Sequence, residues 1–355
     1  MYQFIYDLTG NMIISTLVVA VFPLVNVLLV ALIGVYLERK VSAWMQDRVG
    51  PNRTGPYGLF QTVADFVKMM QKEDAVSNEV DKKLYNIAPV LVFAGSFAAY
   101  AAIPFSSKLI GSEAEVGIFY VIAISSLVVA GILMAGWSSN NKYSLLGAMR
   151  SAAQIVSYEI PTALVVLSMV MLTGTLSLSK MSEMQTAYFW NWNIFGGAAF
   201  ALNKFLLIPF MIVGFIIVFI STLAEVNRTP FDIPEAESEL VAGYFTEYCG
   251  MKWAMFMLSE YGNMFAVSAI VSILFFGGYQ SPIGYLGNTI GATWLIPYEQ
   301  AFWFVAKGWF FILVQMWLRW TLPRLRVDQL MAVCWKYLIP YAFLNLIIIG
   351  IISLL

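Results

Sequence analysis

The chain alternates long apolar runs with short charged connections. Charge-free stretches cover residues 11–37, 86–107, 116–141, 160–179, 205–224, 261 to about 278 and 337–355, and a further apolar run at about 301–320 is interrupted by Lys307. A bilayer core takes about 20 residues of helix, so the pattern predicts eight spanning helices. Residues 184–203 are also apolar but carry Asn191, Asn193, Gly196, Gly197 and three aromatics at 189, 190 and 192. That mixture suits an interfacial segment better than a span.

Lysine and arginine are distributed unevenly between alternate connections. The connections 38–85, 138–154, 225–257 and the last one, around 319–336, hold sixteen of the 20 basic residues; the opposite face holds Lys108, Lys180 and Lys204. Cytoplasmic loops gather positive charge, so these four are expected inside and both termini outside. No fixed-period repeat, low-complexity tract or appended soluble segment is visible, and residues 1–355 read as one membrane domain. The first apolar run has no basic segment before it, so it is expected to remain as a span instead of being removed as a leader.

Composition narrows the chemistry. Charged residues make up 12% of the chain, against about 25% in soluble domains. The formal net charge of −1 offers no overall attraction to nucleic acid. There is no histidine, and the two cysteines, Cys249 and Cys334, are far apart in sequence. Histidine-ligated metals, Ser-His or Cys-His nucleophiles and CxxC-held clusters are thereby excluded. Proton chemistry must use carboxylates, lysine, tyrosine or water.

Two inside connections stand out. The first runs through Glu38-Arg39-Lys40 to a turn-rich stretch, Gly50-Pro51-Asn52 and Gly55-Pro56, that no helix can cross. Residues 59–73 then place Leu59, Phe60, Val63, Phe66, Val67 and Met70 at helical spacing, which predicts an amphipathic helix at the membrane surface. Positive-inside topology and surface anchoring would by themselves account for the bases of this loop.

The second, residues 225–247, sets six acids against one base: Glu225, Asp232, Glu235, Glu237, Glu239 and Glu247 against Arg228. That excess runs against the topological rule. Pro230 and Pro234 prevent a single regular helix, while Glu235 and Glu239 are four apart and would share a helical face. Carboxylates crowded at low dielectric do not all ionise, and some would exchange protons near neutrality. Glu159 and Glu260 add acids at the starts of the fourth and sixth spans, and Lys307 sits within the seventh. A solvated acidic loop and a lysine snorkelling to the outer interface are the plainer alternatives.

The longer motifs are recognisable. ERK at 38–40, QDRVGPNRTGPYGLFQTVAD at 46–65, NKYSLLGAMRSAAQIVSYE at 141–159, AEVNRTPFDIPEAESELVAGYFTEY at 224–248, SEY at 259–261, LRWTLPRLRVDQLM at 318–331 and the following WK occur in order. With them the chain resembles the membrane-embedded H-subunit family of proton-pumping NADH:quinone oxidoreductase, respiratory complex I, counterpart of mitochondrial NADH dehydrogenase subunit 1. The resemblance spans nearly the whole chain. It departs mildly at Phe60, Thr62 and Met69-Met70, which touches only the shape of the quinone entrance.

The resemblance implies a subunit that carries no redox centre, with quinone (ubiquinone or menaquinone) as substrate and NADH, FMN and iron-sulfur clusters in partner subunits. Arg39, Arg48, Asp65 and Arg319 would line or support the quinone passage. Glu159, Glu225, Asp232, Glu235, Glu237, Glu239 and Glu247 would begin a proton-coupling pathway, with Lys307 as a further member. Expected partners are the other membrane-arm subunits, the hydrophilic arm and lipid, in a bacterial plasma membrane more readily than a mitochondrial one. A homologous membrane subunit of a hydrogenase or ferredoxin-linked complex is the rival reading. A secondary transporter fits less well, because no inverted repeat is found.

Overall fold

The computed structural model describes residues 10–197, 201–234 and 237–354; the side chains of 201–204, 237–238 and 289–290 are not described. Among these residues there is no strand, and eight helices are long and apolar enough to cross a membrane. In chain order the helices longer than five residues are α1 Met12–Met45, α2 Gln61–Gln71, α3 Lys82–Ala102, α4 Gly117–Ser138, α5 Lys142–Thr173, α6 Leu178–Met184, α7 Ala201–Glu225, α8 Gly250–Phe275, α9 Ile296–Thr321 and α10 Val327–Leu354. The two short ones, α2 and α6, are not spans. Of the stretch 184–203, residues 186–197 form turns, with 3-10 segments at Phe189–Asn191 and Asn193–Phe195, and do not cross, whereas 198–200 lie outside the described residues and 201–203 already belong to α7.

Burial sorts the helices into centre and rim. In α8, 78% of the most apolar stretch is buried, against 28% in α1, so α8 is the axis on which α1, α3, α7 and α9 pack. Small residues let neighbours approach: a Cβ on Gly95 would stand 2.7 Å from Val128, and one on Gly131 would stand 2.5 Å from Val92. In a membrane such close approach gives helix association through dispersion contacts, because lipid supplies no hydrophobic drive between helices.

Several helices extend beyond their charge-free stretches. The first reaches Met45 instead of residue 37, the fourth span starts at Lys142 instead of 160, and the sixth at Gly250 instead of 261. At 34 residues, α1 is about 51 Å long by helical rise, well beyond the ~30 Å hydrocarbon core. The extra turns bring Glu38, Arg150, Glu159 and Glu260 into helices. They are tolerated there because Glu38, Arg150 and Glu260 have ion partners and Glu159 has a hydroxyl.

Candidate functional site

The turn-rich basic loop folds back onto α1 through a chain of side chains. Thr54 Oγ1 donates to Gln61 Oε1 (2.7 Å), Gln61 Nε2 donates to Asp65 Oδ1 (3.1 Å), and Arg39 Nη1 pairs with Asp65 Oδ2 (2.5 Å). Gly58 closes the turn at φ +79°, where an added Cβ would stand 2.3 Å from the Pro51 carbonyl oxygen. Only glycine fits both constraints. On α2, Thr62 is buried and Asp65, Phe66 and Met69 are half-buried around the cavity described next, whereas Val63, Val67 and Met70 are exposed together with Leu59 and Phe60. The helix thus turns a mixed face to α1 and α8 and an apolar face away.

Between these elements lies a cavity of about 420 Å³, walled by Glu38, Arg39, Arg48, Asp65, Tyr261 and Trp320 among others. Its size falls within the roughly 300–1,000 Å³ of ligand pockets. Three of the four residues expected around the quinone passage, Arg39, Arg48 and Asp65, are on its wall. Arg319 stands behind the wall and bonds to Glu38.

Glu38 is the centre of a buried charged cluster. Its side chain is 7% exposed, and it accepts from Tyr261 Oη (2.6 Å), from Arg228 Nη1 (3.5 Å) and from Arg319. Arg228, equally buried, lies over the Tyr261 ring at 4.6 Å and reaches Glu260 Oε2 at 3.9 Å. Tyr244 Oη donates to the other oxygen of Glu260 (3.1 Å). Two carboxylates and two guanidiniums balance here, as burial of charge requires.

From this cluster a row of carboxylates runs from Glu260 on α8 to Glu225 at the end of α7 and Glu159 on α5, beside Ser125 of α4. Three small cavities, about 20, 50 and 40 Å³, all touch Glu225. The first is shared with Glu260 and Asn263, the last with Glu159 and Ser125. Ser125 Oγ donates to Glu159 Oε1 (2.9 Å) and lines two of the cavities that touch Glu225, so its hydroxyl stands between the two acids.

The rest of the acidic loop is strapped down from both sides. Gln154 Nε2 on α5 lies within bonding distance of the Ala224 and Phe231 carbonyls (2.7 and 2.8 Å) and of Asn227 Oδ1 (3.1 Å). Arg324 pairs with Asp232 (3.0 Å) and Arg150 with Glu239 (2.7 Å). Glu247 is apart from the row: its Oε1 accepts from Asn141 Nδ2 (2.8 Å) and its carbonyl from Tyr85 Oη (2.7 Å). Tyr85 stacks on Tyr248 at 4.2 Å. Burial pushes the Tyr248 phenol up to about 12, so it stays a neutral partner. Glu235 and the side chain of Glu237 lie outside the described residues.

Lys307 belongs to neither group. Its Nζ bonds three backbone carbonyls just beyond the C-terminus of α8, about 24 Å along that helix from Glu260 by helical rise. Among the described residues no three acidic or cysteine side chains converge as a metal site.

Residues that are inconspicuous in the sequence carry much of this geometry. Glu38, Arg228 and Tyr261 lie inside the recognised motifs, yet nothing one-dimensional shows that they meet. Ser125 and Asn263 stand in apolar runs, and a polar side chain in such a run is the signal that could have found them.

Comparison with known proteins agrees with the motifs. The family model described as NADH dehydrogenase matches residues 17–350. The chain is 52% identical over 345 residues to the NADH-quinone oxidoreductase H-subunit of Chlorobium luteolum, covering 95% of this chain and 89% of that one. It is 46% identical over 348 residues to the H-subunit of Anaeromyxobacter dehalogenans, covering 94% and 82%. With the H-subunit of Brevibacillus brevis it shares 44% over 336 residues, covering 95% and 92%. The eight apolar helices, the length of the match and these identities together establish that the chain belongs to the NADH dehydrogenase family of membrane proteins, among the H-subunits of NADH-quinone oxidoreductase, complex I.

Proposed function

We propose that this chain forms much of the quinone-binding chamber of its complex and the acidic start of the proton-coupling route. The carrying observation is that the 420 Å³ cavity and the carboxylate row are joined through one buried ion cluster. Glu38 is on the cavity wall and holds Arg228, which holds Glu260, whose cavity reaches Glu225.

A long-tailed quinone enters past α2, which lies on the inner membrane surface with Val63, Val67 and Met70 toward lipid. Arg39, Arg48 and Asp65 meet the head group, and Arg319 supports it through Glu38. Two electrons come from a centre in a partner subunit of the hydrophilic arm, where NADH, FMN and the iron-sulfur clusters reside; two protons complete the quinol. This chain carries protons and charge, not electrons.

Charge appearing on the quinone acts on the Glu38–Arg228–Glu260 cluster. At 4 Å and an effective dielectric of about 20, a unit charge changes a carboxylate by roughly 4 kcal/mol, about 3 pKa units. A shift of that size re-partitions protons along Glu260, Glu225 and Glu159. Asp232, Glu235, Glu237, Glu239 and Glu247 extend the acidic surface toward the neighbouring membrane subunits. The assembly sits in a bacterial plasma membrane with both termini of this chain on the outer face.

Quinone photo-crosslinking of the solubilised complex, with peptide mapping, tests this function. Labelling within 38–73 or 225–260 that excess native quinone suppresses is the expected result. An intact complex with those segments unlabelled would refute it.

A further inference from the structure

The C-terminus of α8 is capped by side chains and backbone from three other segments. The last turn of a helix leaves four carbonyls without helical donors. Here Ile273 O accepts from Gln185 Nε2 (2.6 Å), Leu274 O from Asn193 Nδ2 (2.8 Å), and Ser272 O from the amides of Phe276 and Gly278 (2.9 and 2.8 Å). Three more carbonyls, those of Phe276, Gly278 and Gln280, converge on Lys307 Nζ at 2.7, 2.9 and 2.7 Å. The Trp192 ring closes the remaining side, 4.2 Å from the nitrogen. Among the described residues no carboxylate lies within ion-pair distance of it.

The count of donors assigns the species. An ammonium has three N–H donors and meets three acceptors; a neutral amine would turn its lone pair on a carbonyl oxygen. A cation is also the favoured charge at the negative end of a helix dipole, and an indole face attracts it further. Arginine, whose donors lie in a plane, does not reproduce such a tripod.

We propose that the carbonyls of Phe276, Gly278 and Gln280, with Trp192, form a primary-ammonium site that the Lys307 side chain fills permanently, stapling α9 and the 178–197 segment onto the end of α8. Lys307 is thus a fixed structural cation and takes no part in proton relay. This holds wherever quinone binds.

Replacing Lys307 by alanine deletes the atoms of n-propylammonium, which makes the site testable by chemical rescue in the whole complex. The half-life of NADH:quinone activity at elevated temperature would be measured on the detergent-solubilised complex carrying Lys307→Ala or Lys307→Arg. Protons pumped per NADH would be measured on membranes carrying the same variants. We expect Lys307→Ala to shorten the half-life by at least roughly tenfold, the scale of losing even one of its three charge-assisted hydrogen bonds, with protons per NADH unchanged. Added n-propylammonium should lengthen it again, while tetramethylammonium, equally charged but without N–H donors, and n-propanol should not. Lys307→Arg should rescue only in part. An undiminished half-life with fewer protons per NADH would make Lys307 a relay and overturn the proposal. A shortened half-life that n-propylammonium leaves unchanged would overturn the ammonium site.

Discussion

Neutralising Glu38 and Arg228 singly and together tests whether the buried cluster is a balanced charge unit. Glu38→Gln leaves two guanidiniums against Glu260 alone; Arg228→Gln leaves Glu38 and Glu260 against Arg319 alone. The Glu38 and Arg228 side chains are both 7% exposed, so solvent screening does little for whichever charge remains. At 3.5 Å and an effective dielectric of about 20, their attraction is roughly 5 kcal/mol, close to the ~3–5 kcal/mol lost when one member of a buried pair is removed. Each single change should therefore cost several kcal/mol and lower the amount of assembled complex. The double change restores neutrality and should cost clearly less than the two singles added, a coupling of about 2–3 kcal/mol by cycle analysis. Tyr261 Oη can still donate to the glutamine carbonyl, so the hydroxyl contact at 2.6 Å does not confound the comparison. The assays are the fraction of complex surviving a heat ramp and the residual NADH:quinone rate per assembled complex. Additive effects within about 0.5 kcal/mol would mean that the two side chains do not sense each other, and the link from cavity to carboxylate row would fail with them.

Two smaller changes separate the cavity from the row. Arg39→Ala breaks a pair whose partners are 45% and 30% exposed, so stability should move by less than about 1 kcal/mol, while the KM for quinone should rise about tenfold if the guanidinium meets the head group; steady-state kinetics with an unchanged KM would count against that contact. Ser125→Ala removes the hydroxyl that bonds Glu159 in the cavity shared with Glu225 and should leave assembly intact while slowing pumping-coupled turnover several-fold, a loss of about 1 kcal/mol; equal turnover and equal protons per NADH in reconstituted vesicles would remove Ser125 from the route.

The parts of this architecture that were legible in the sequence are those that need no partner to be recognised. A run of about 20 apolar residues must satisfy its own backbone in lipid and so is a helix wherever it packs, which is why the eight spans and the non-spanning stretch after Met184 follow from pattern alone. The charged ends of the spans were not legible, because the rule that a span stops at its first charge assumes the charge is alone. Glu260 would halt α8 at residue 261, yet the helix starts at Gly250 because Arg228, 32 positions away in sequence, compensates it. The same blindness hid the site's centre: Glu38 looks like the polar end of α1 and Arg228 like a stray base in an acidic loop, until folding sets them 3.5 Å apart. Lys307 is the extreme case. Its partners are backbone carbonyls, which every residue has and no sequence displays. A charge in a membrane span therefore signals that some compensation exists, while only the fold reveals whether a carboxylate, a ring of carbonyls or a proton route provides it.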